Sequence, residues 1–219
     1  MKNYFIKKIK FNRDFRTYKR DEILEFKAGI NLIVGEQGCG KSSLFKAIMD
    51  WQESGISMDY DTESTYAFID TELMNPRLLD SFKAHRKFKG VTDYDKAEFQ
   101  STIDRLVNDY DIKSHGQVML PLILSTSNES GKSIFIDEPE SGLSIRSQYT
   151  IAKHFKEISK NNQLIIATHS IILMQEVGEV YSLEDRVWMK SEEFIEKQKT
   201  GKLKTEKSKQ LKKTKKNTK

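Results

Sequence analysis

The chain has 219 residues, room for one domain core and a tail, with 32% charged and 37% hydrophobic residues; no stretch approaches the roughly 18 to 20 unbroken apolar residues of a membrane helix, which excludes membrane insertion. Its net charge of +5 is unevenly spread: residues 197–219 hold eleven lysines and one glutamate, about +10, so residues 1–196 carry about −5. A single cysteine, Cys39, excludes an internal disulfide and a cysteine-built zinc site, and fits a reducing, cytoplasmic compartment.

The opening run MKNYFIKKIKF alternates apolar and basic residues, which predicts a strand over 6–11 and not a signal peptide. A second early strand over 23–26 is expected to lie antiparallel to it, and 30–34 is a buried run ending at Gly35. Residues 42–51 have helical spacing, with Leu44, Phe45, Ile48 and Met49 available for burial. The polar segment 53–64 reads as a loop and 66–69 as a short strand. Helices over 76–88 and 94–110 would form a small helical insertion spanning about 72–125. Buried strands follow at 134–136 and 164–167, separated by a helix over about 144–159. This alternation predicts an α/β domain with a mostly parallel core sheet and an N-terminal antiparallel β portion, ending near residue 196. Beyond it, residues 197–219 hold two leucines and no aromatic residue, too little apolar surface to offset the entropy of ordering them. That tail is expected to be disordered when free, as either a solvated extension or an electrostatic arm for DNA or RNA.

Three strand ends carry the chemistry. Gly35-Glu36-Gln37-Gly38-Cys39-Gly40-Lys41-Ser42, followed by Ser43, fits G-x-x-x-x-G-K-[ST] between a buried strand and a helix. Glycines are needed there because backbone N–H groups must curl around phosphate oxygens at angles a Cβ obstructs. The helix start adds its positive dipole end, Lys41 reaches the β- and γ-phosphates of ATP, and Ser42 ligates Mg²⁺. Cys39 is a small filler of this loop or a redox-sensitive thiol. The second end, Ser133-Ile-Phe-Ile-Asp137-Glu138-Pro139-Glu140, puts two acidic residues at the carboxyl edge of a sheet. Asp137 would hold Mg²⁺, and Glu138 would act as general base on the attacking water. The third, Leu164-Ile-Ile-Ala-Thr168-His169-Ser170, delivers His169 toward the γ-phosphate.

The order of phosphate loop, insertion, Ser114-His-Gly-Gln117, Asp137-Glu138-Pro139 and Thr168-His169-Ser170 resembles the ATP-binding-cassette ATPases over most of residues 1–190. SHGQ before an apolar run, DEPESGLS and ATHSIILM look like the small soluble group related to the RecF, SMC and OLD-like ATPases more than a transporter cassette. The resemblance implies a P-loop NTPase fold, ATP and Mg²⁺ as cofactors, and an ATP-dependent homodimer. In it, the signature residues Ser114, Gly116 and Gln117 act in trans on the γ-phosphate. It makes Ser141, Gly142, Leu143 and Ser144 the subunit-crossing loop, with Ser144 where many members have aspartate. No glutamine marks the Q-loop, and Glu72 stands in that region as its substitute and a candidate Mg²⁺ ligand. Phe11, Phe15 and Tyr18 are the candidates for stacking on adenine, ordinary core packing being the alternative for each. Only about seventy residues separate Ser42 from Ser114, which excludes the long coiled coil of the SMC relatives.

The expected activity is ATP hydrolysis coupled to a nucleic-acid-related process such as repair, phage biology or defence. The alternatives are an ATP-gated module that switches an effector protein and, less favoured, the nucleotide-binding subunit of a transporter.

Overall fold

A computed structural model describes residues 6–60, 65–70, 119–121, 123–124, 126 and 130–200. The expected helices at 76–88 and 94–110, Glu72, the signature residues Ser114, Gly116 and Gln117, and tail residues 201–219 lie outside the described residues.

Among the described residues the chain builds two sheets. The smaller has the order β2-β1-β4 and is antiparallel, from β1 (Ile6–Phe11), β2 (Ile23–Glu25) and β4 (Ile56–Tyr60). The larger has the order β5-β6-β7-β3-β8-β9. Its strands are β3 (Ile30–Val34), β5 (Thr65–Asp70), β6 (Lys132–Asp137), β7 (Gln163–Ala167), β8 (Glu179–Ser182) and β9 (Val187–Lys190). Every pairing in it is parallel except β8 with β9. The helices are α1 (Lys41–Met49), α2 (Trp51–Ser54), α3 (Ile145–Ile158), α4 (Ile171–Val177) and α5 (Ser191–Thr200). None of the described helices is long and apolar enough to cross a membrane.

The central strands are apolar throughout because both sheet faces are covered, as parallel sheets require. Alternate residues sort to opposite faces. Leu32, Val34, Ile134, Ile136, Leu164 and Ile166 pack with Ile151 and Phe155 of α3, Leu173 and Met174 of α4, and Phe194 of α5. Ile33, Phe135, Ile165 and Ala167 face the other way, onto Leu44, Phe45 and Ile48 of α1 and onto Ile6, Ile9, Phe11 and Leu24 of the antiparallel sheet. One buried amide ties the two sheets. Gln163 Oε1 accepts from Ile6 N (2.9 Å) and Ser133 Oγ (3.0 Å), while its Nε2 donates to Ile6 O (2.9 Å) and Lys27 O (3.0 Å).

One expectation is corrected, and one helix crosses an expected boundary. The segment 53–64 is not simply a loop: α2 closes at Ser54, and β4 pairs with β1 from Ile56↔Phe11 to Tyr60↔Ile6. Serine and aspartate are poor strand formers, so the strand exists because β1 offers it a hydrogen-bonding edge, with only Ile56 buried. The boundary at 196 falls inside α5. Glu192 and Glu193 in its first turn and Lys197 and Lys199 in its last complement the helix dipole. Lys197 also pairs with Asp185. Burial works to raise that carboxyl, but hydrogen bonds from Lys197 and Ser182 outweigh it and hold it below the usual aspartate range.

Candidate active site

The three motif-bearing strand ends lie side by side, because β6, β7 and β3 are neighbours with a common direction. Parallel strands put all their carboxyl ends on one edge, so segments far apart in sequence deliver their loops to one place. There, Gly35, Glu36, Gln37, Glu138 and His169 line one cleft of about 850 Å³. Its other wall comes from α4 and α5, through Ile171, Met174, Phe194, Ile195, Gln198 and Lys199.

The phosphate loop is closed by its own backbone. Cys39 N donates to Glu36 O (3.2 Å), and Leu44 N donates to Gly40 O (2.9 Å) to start α1. Gly40, at φ 114°, is the N-cap and supplies no side-chain hydrogen bond, so the first-turn N–H groups of α1 remain available to an anion. A Cβ at Gly40 would run into the Thr17 hydroxyl, and one at Gly35 into the Cys39 sulfur. Cys39 thus fills the inside of the loop. The Lys41 side chain is buried and turned inward, its Nζ donating to Gly35 O (3.0 Å) and Glu36 O (3.2 Å). Ser42 is exposed at the helix start and Ser43 Oγ accepts from Arg16 Nη1 at 3.4 Å.

Across the cleft, Asp137 ends β6 and is buried. Glu138 has φ 49°, a left-handed conformation that costs a glutamate of order 1 kcal/mol. The ladder holds it there, through Glu138 N donating to Ala167 O at 2.9 Å. This turn aims the side chain into the cleft, where Glu138 Oε1 lies 3.6 Å from His169 Nε2. Ser42 and Asp137 offer one hydroxyl and one carboxylate, hard oxygen donors of the kind Mg²⁺ accepts alongside phosphate and water oxygens.

Two residues that the sequence reading did not single out fix the histidine loop. Glu140 Oε1 accepts the His169 N–H at 2.5 Å. Burial raises the Glu140 carboxyl above its ordinary value, with the Thr168 hydroxyl and the His169 N–H opposing and the nearby Glu138 charge adding to the rise. Gln148 of α3 reaches both neighbouring loops: its Nε2 donates to Leu143 O (3.2 Å) and its Oε1 accepts from Ser170 Oγ (2.7 Å). The segment Ser141 to Ser144 is therefore tied, within one chain, to the loop bearing His169. Ser144 itself is occupied as the N-cap of α3, accepting from Ser147 N at 3.2 Å. Glu140 was visible as the fourth acidic-run position; Gln148 carries no sequence signal, being one polar residue on a helix.

The adenine candidates separate by burial. Phe11 and Tyr18 are fully buried and stacked on each other, with centroids 4.4 Å apart and planes 1° from parallel. Tyr18 also donates its hydroxyl to Gly40 O at 2.9 Å, so it braces the phosphate loop from inside the core. Phe15 is half-buried, its ring stacked on Phe11 with centroids 6.5 Å apart and with the Arg16 guanidinium 5.9 Å from its centroid.

Comparison with solved structures decides the fold. An "ATP binding subunit of ABC transporter" aligns with TM-score 0.54 and 13% identity over 90% of this chain and 94% of that one. "An inward-facing conformation of a putative metal-chelate type ABC transporter" aligns with TM-score 0.54 and 16% identity over 87% and 84%. The chain has the P-loop fold of the ATP-binding-cassette ATPases. CbiO1 from Clostridium perfringens, part of the ABC transporter complex cbiONQ, shows the same cassette fold with TM-score 0.50 and 17% identity over 82% and 84%. A family profile described as "AAA domain, putative AbiEii toxin, Type IV TA system" matches residues 114–175, the span from the SHGQ segment through Glu138 and His169 into α4. A search of curated proteins returns no match to the sequence.

Proposed function

We propose that the protein is a Mg²⁺-dependent ATPase whose two nucleotide sites are completed when a pair of copies meets head to tail. The observation that carries this reading is the convergence of Gly35, Glu36 and Gln37 of the loop with Glu138 and His169 on one cleft. Backbone N–H groups of the loop and first turn of α1, with Lys41, bind the β- and γ-phosphates. Ser42 and Asp137 would hold Mg²⁺, which when bound neutralises charge on the phosphates. Glu138 orients the attacking water and takes its proton, and His169 contacts the γ-phosphate while Glu140 fixes its backbone. Ser114 and Gly116 of the partner subunit close the site, so ATP favours the paired state because only ATP touches both copies.

Two assays test the core of this reading. Specific ATPase activity at saturating ATP should rise with protein concentration; a flat profile across the micromolar range argues against shared sites. Glu138→Gln should lower turnover by roughly 10²- to 10⁴-fold and trap an ATP-bound dimer. Wild-type turnover in that variant removes Glu138 from the role.

For the process driven, a nucleic-acid-related task such as repair, phage biology or defence is favoured by the charge beyond α5. Residues 201–219 hold nine lysines and one glutamate. The matched profile's description, a toxin of a type IV TA system, agrees with the defence branch. The similarity to transporter subunits at 13–17% identity is a similarity of fold. Each lysine that neutralises a DNA phosphate steepens the dependence of log K on log salt by about 0.9. Truncation after Thr200 should therefore weaken DNA binding and flatten that slope; unchanged values point instead to a module that switches an effector protein.

A further inference from the structure

The phosphate loop is gripped from outside by the turn between β8 and β9. Glu184 Oε1 accepts the backbone N–H of Glu36 at 2.6 Å, and Gln198 of α5 donates from Nε2 to Glu184 Oε2 at 3.4 Å. Glu36 is the second residue of the loop, and its carbonyl is one of the two that accept the Lys41 ammonium. One peptide segment is thus held on both sides, by a carboxylate without and by the lysine within. The turn has a firm base: Leu183 N donates to Val34 O (2.9 Å), continuing the β3–β8 ladder to the residue before Gly35. Asp185 N and the Asp185 carboxylate bond the Ser182 hydroxyl at 3.2 and 2.8 Å, and Lys197 of α5 pairs with Asp185. Gln198 also lines the cleft, as do Glu36 and Gln37.

A carboxylate near a triphosphate is electrostatically adverse, so an accepting role must outweigh its charge if Glu184 is to help. The contact offers that role: a charged acceptor on a backbone N–H is a strong hydrogen bond, and it fixes the loop before any nucleotide arrives. We propose that Glu184 is a positioning residue for nucleotide binding, and that α5, through Gln198, sets its orientation and so couples the C-terminal helix to the phosphate loop in the same subunit. This rests on the reading of 35–42 as the nucleotide-binding loop.

Substitution separates acceptor from charge. Glu184→Gln keeps the Oε1 acceptor and removes the charge; Glu184→Ala removes both. ATP titration with Mg²⁺, followed by calorimetry on the full chain, should show Glu184→Ala raising Kd at least three-fold and Glu184→Gln at or near the wild-type value or tighter. Gln198→Ala should raise Kd by a smaller factor. Amide hydrogen exchange should show the Glu36 N–H losing protection in Glu184→Ala and keeping it in Glu184→Gln, with thermal unfolding showing both variants folded. A Kd for Glu184→Ala less than three-fold from wild type, or no rescue by glutamine, overturns the clamp. An unchanged Kd in Gln198→Ala overturns the helix's part in it. Should the wild-type chain itself not bind ATP, the nucleotide reading fails first, whatever the exchange at Glu36 shows.

Discussion

Replacing Tyr18 separates a core brace from a ligand contact. Its ring is fully buried, stacked on Phe11, and covered by the Arg186 guanidinium 4.8 Å from its centroid. Its hydroxyl donates to Gly40 O at 2.9 Å. In Tyr18→Phe that carbonyl still accepts Leu44 N at 2.9 Å, so no buried acceptor is orphaned and the loss is the net value of one hydrogen bond, about 0.5–1.5 kcal/mol. In a domain of this size each kcal/mol moves Tm by roughly 2–4 °C, which gives a drop of about 1–6 °C. Tyr18→Ala also empties the ring's site, at about 3–5 kcal/mol, or roughly 6–20 °C. Because the hydroxyl meets the loop and not the ligand, Kd for ATP in Tyr18→Phe should stay within about three-fold of wild type, under roughly 0.7 kcal/mol. Thermal unfolding and ATP titration on the same preparations measure both quantities. An unaltered Tm together with a ten-fold loss of ATP affinity refutes the brace and makes Tyr18 a nucleotide contact.

Glu140→Gln should change how stability depends on pH. Burial lifts the carboxyl above its usual 4.5, so the folded state binds its proton more tightly than the unfolded state. The resulting stability is fully present below the usual glutamate range and is lost as pH rises through the lifted value. Tm of the variant relative to wild type should therefore increase from pH 4 toward neutrality, and a constant difference argues against it. Gln163→Leu strips its hydrogen bonds from both the N–H and the carbonyl of Ile6 and should cost at least about 2 kcal/mol in urea unfolding, since each orphaned buried group costs roughly 1–3 kcal/mol. A loss under about 1 kcal/mol shows that the two sheets hold without that amide. Gln148→Leu cuts the link between Leu143 and Ser170, and under the role proposed for His169, at the γ-phosphate of bound ATP, should lower kcat more than it raises KM. A change confined to KM counts against the link.

Much of the fold was legible locally. The G-x-x-x-x-G-K-S run needs only its own glycines and the helix that follows, and the buried runs at 30–34, 134–136 and 164–167 are apolar enough to be read as central strands without knowing their neighbours. The nearby alternation of Lys7, Lys8 and Lys10 with Ile6, Ile9 and Phe11 likewise marked β1 as a strand with one covered face. The strand at Ile56–Tyr60 was not legible, because its pattern is mostly exposed and its existence depends on a partner edge at β1. The run of α5 on to Thr200 was not legible for the same kind of reason: Lys197 reads as the first lysine of a solvated tail until Asp185 stands opposite it.

The sequence by itself determined which groups could meet a phosphate, since a hydroxyl, an ammonium, two carboxylates and an imidazole keep their chemistry wherever they lie. Only the tertiary structure decided that Glu138 and His169 share a cleft with Gly35, Glu36 and Gln37, that Tyr18 is buried in the core, and that Glu140, Gln148 and Glu184 hydrogen-bond the loops around it. The physical reason is range. A turn or a helix start is set by atoms a few residues apart, whereas Glu36 meets Glu184 across 148 positions. That contact exists because a parallel sheet brings the ends of β3 and β8 together, and nothing in either segment alone encodes the other's position.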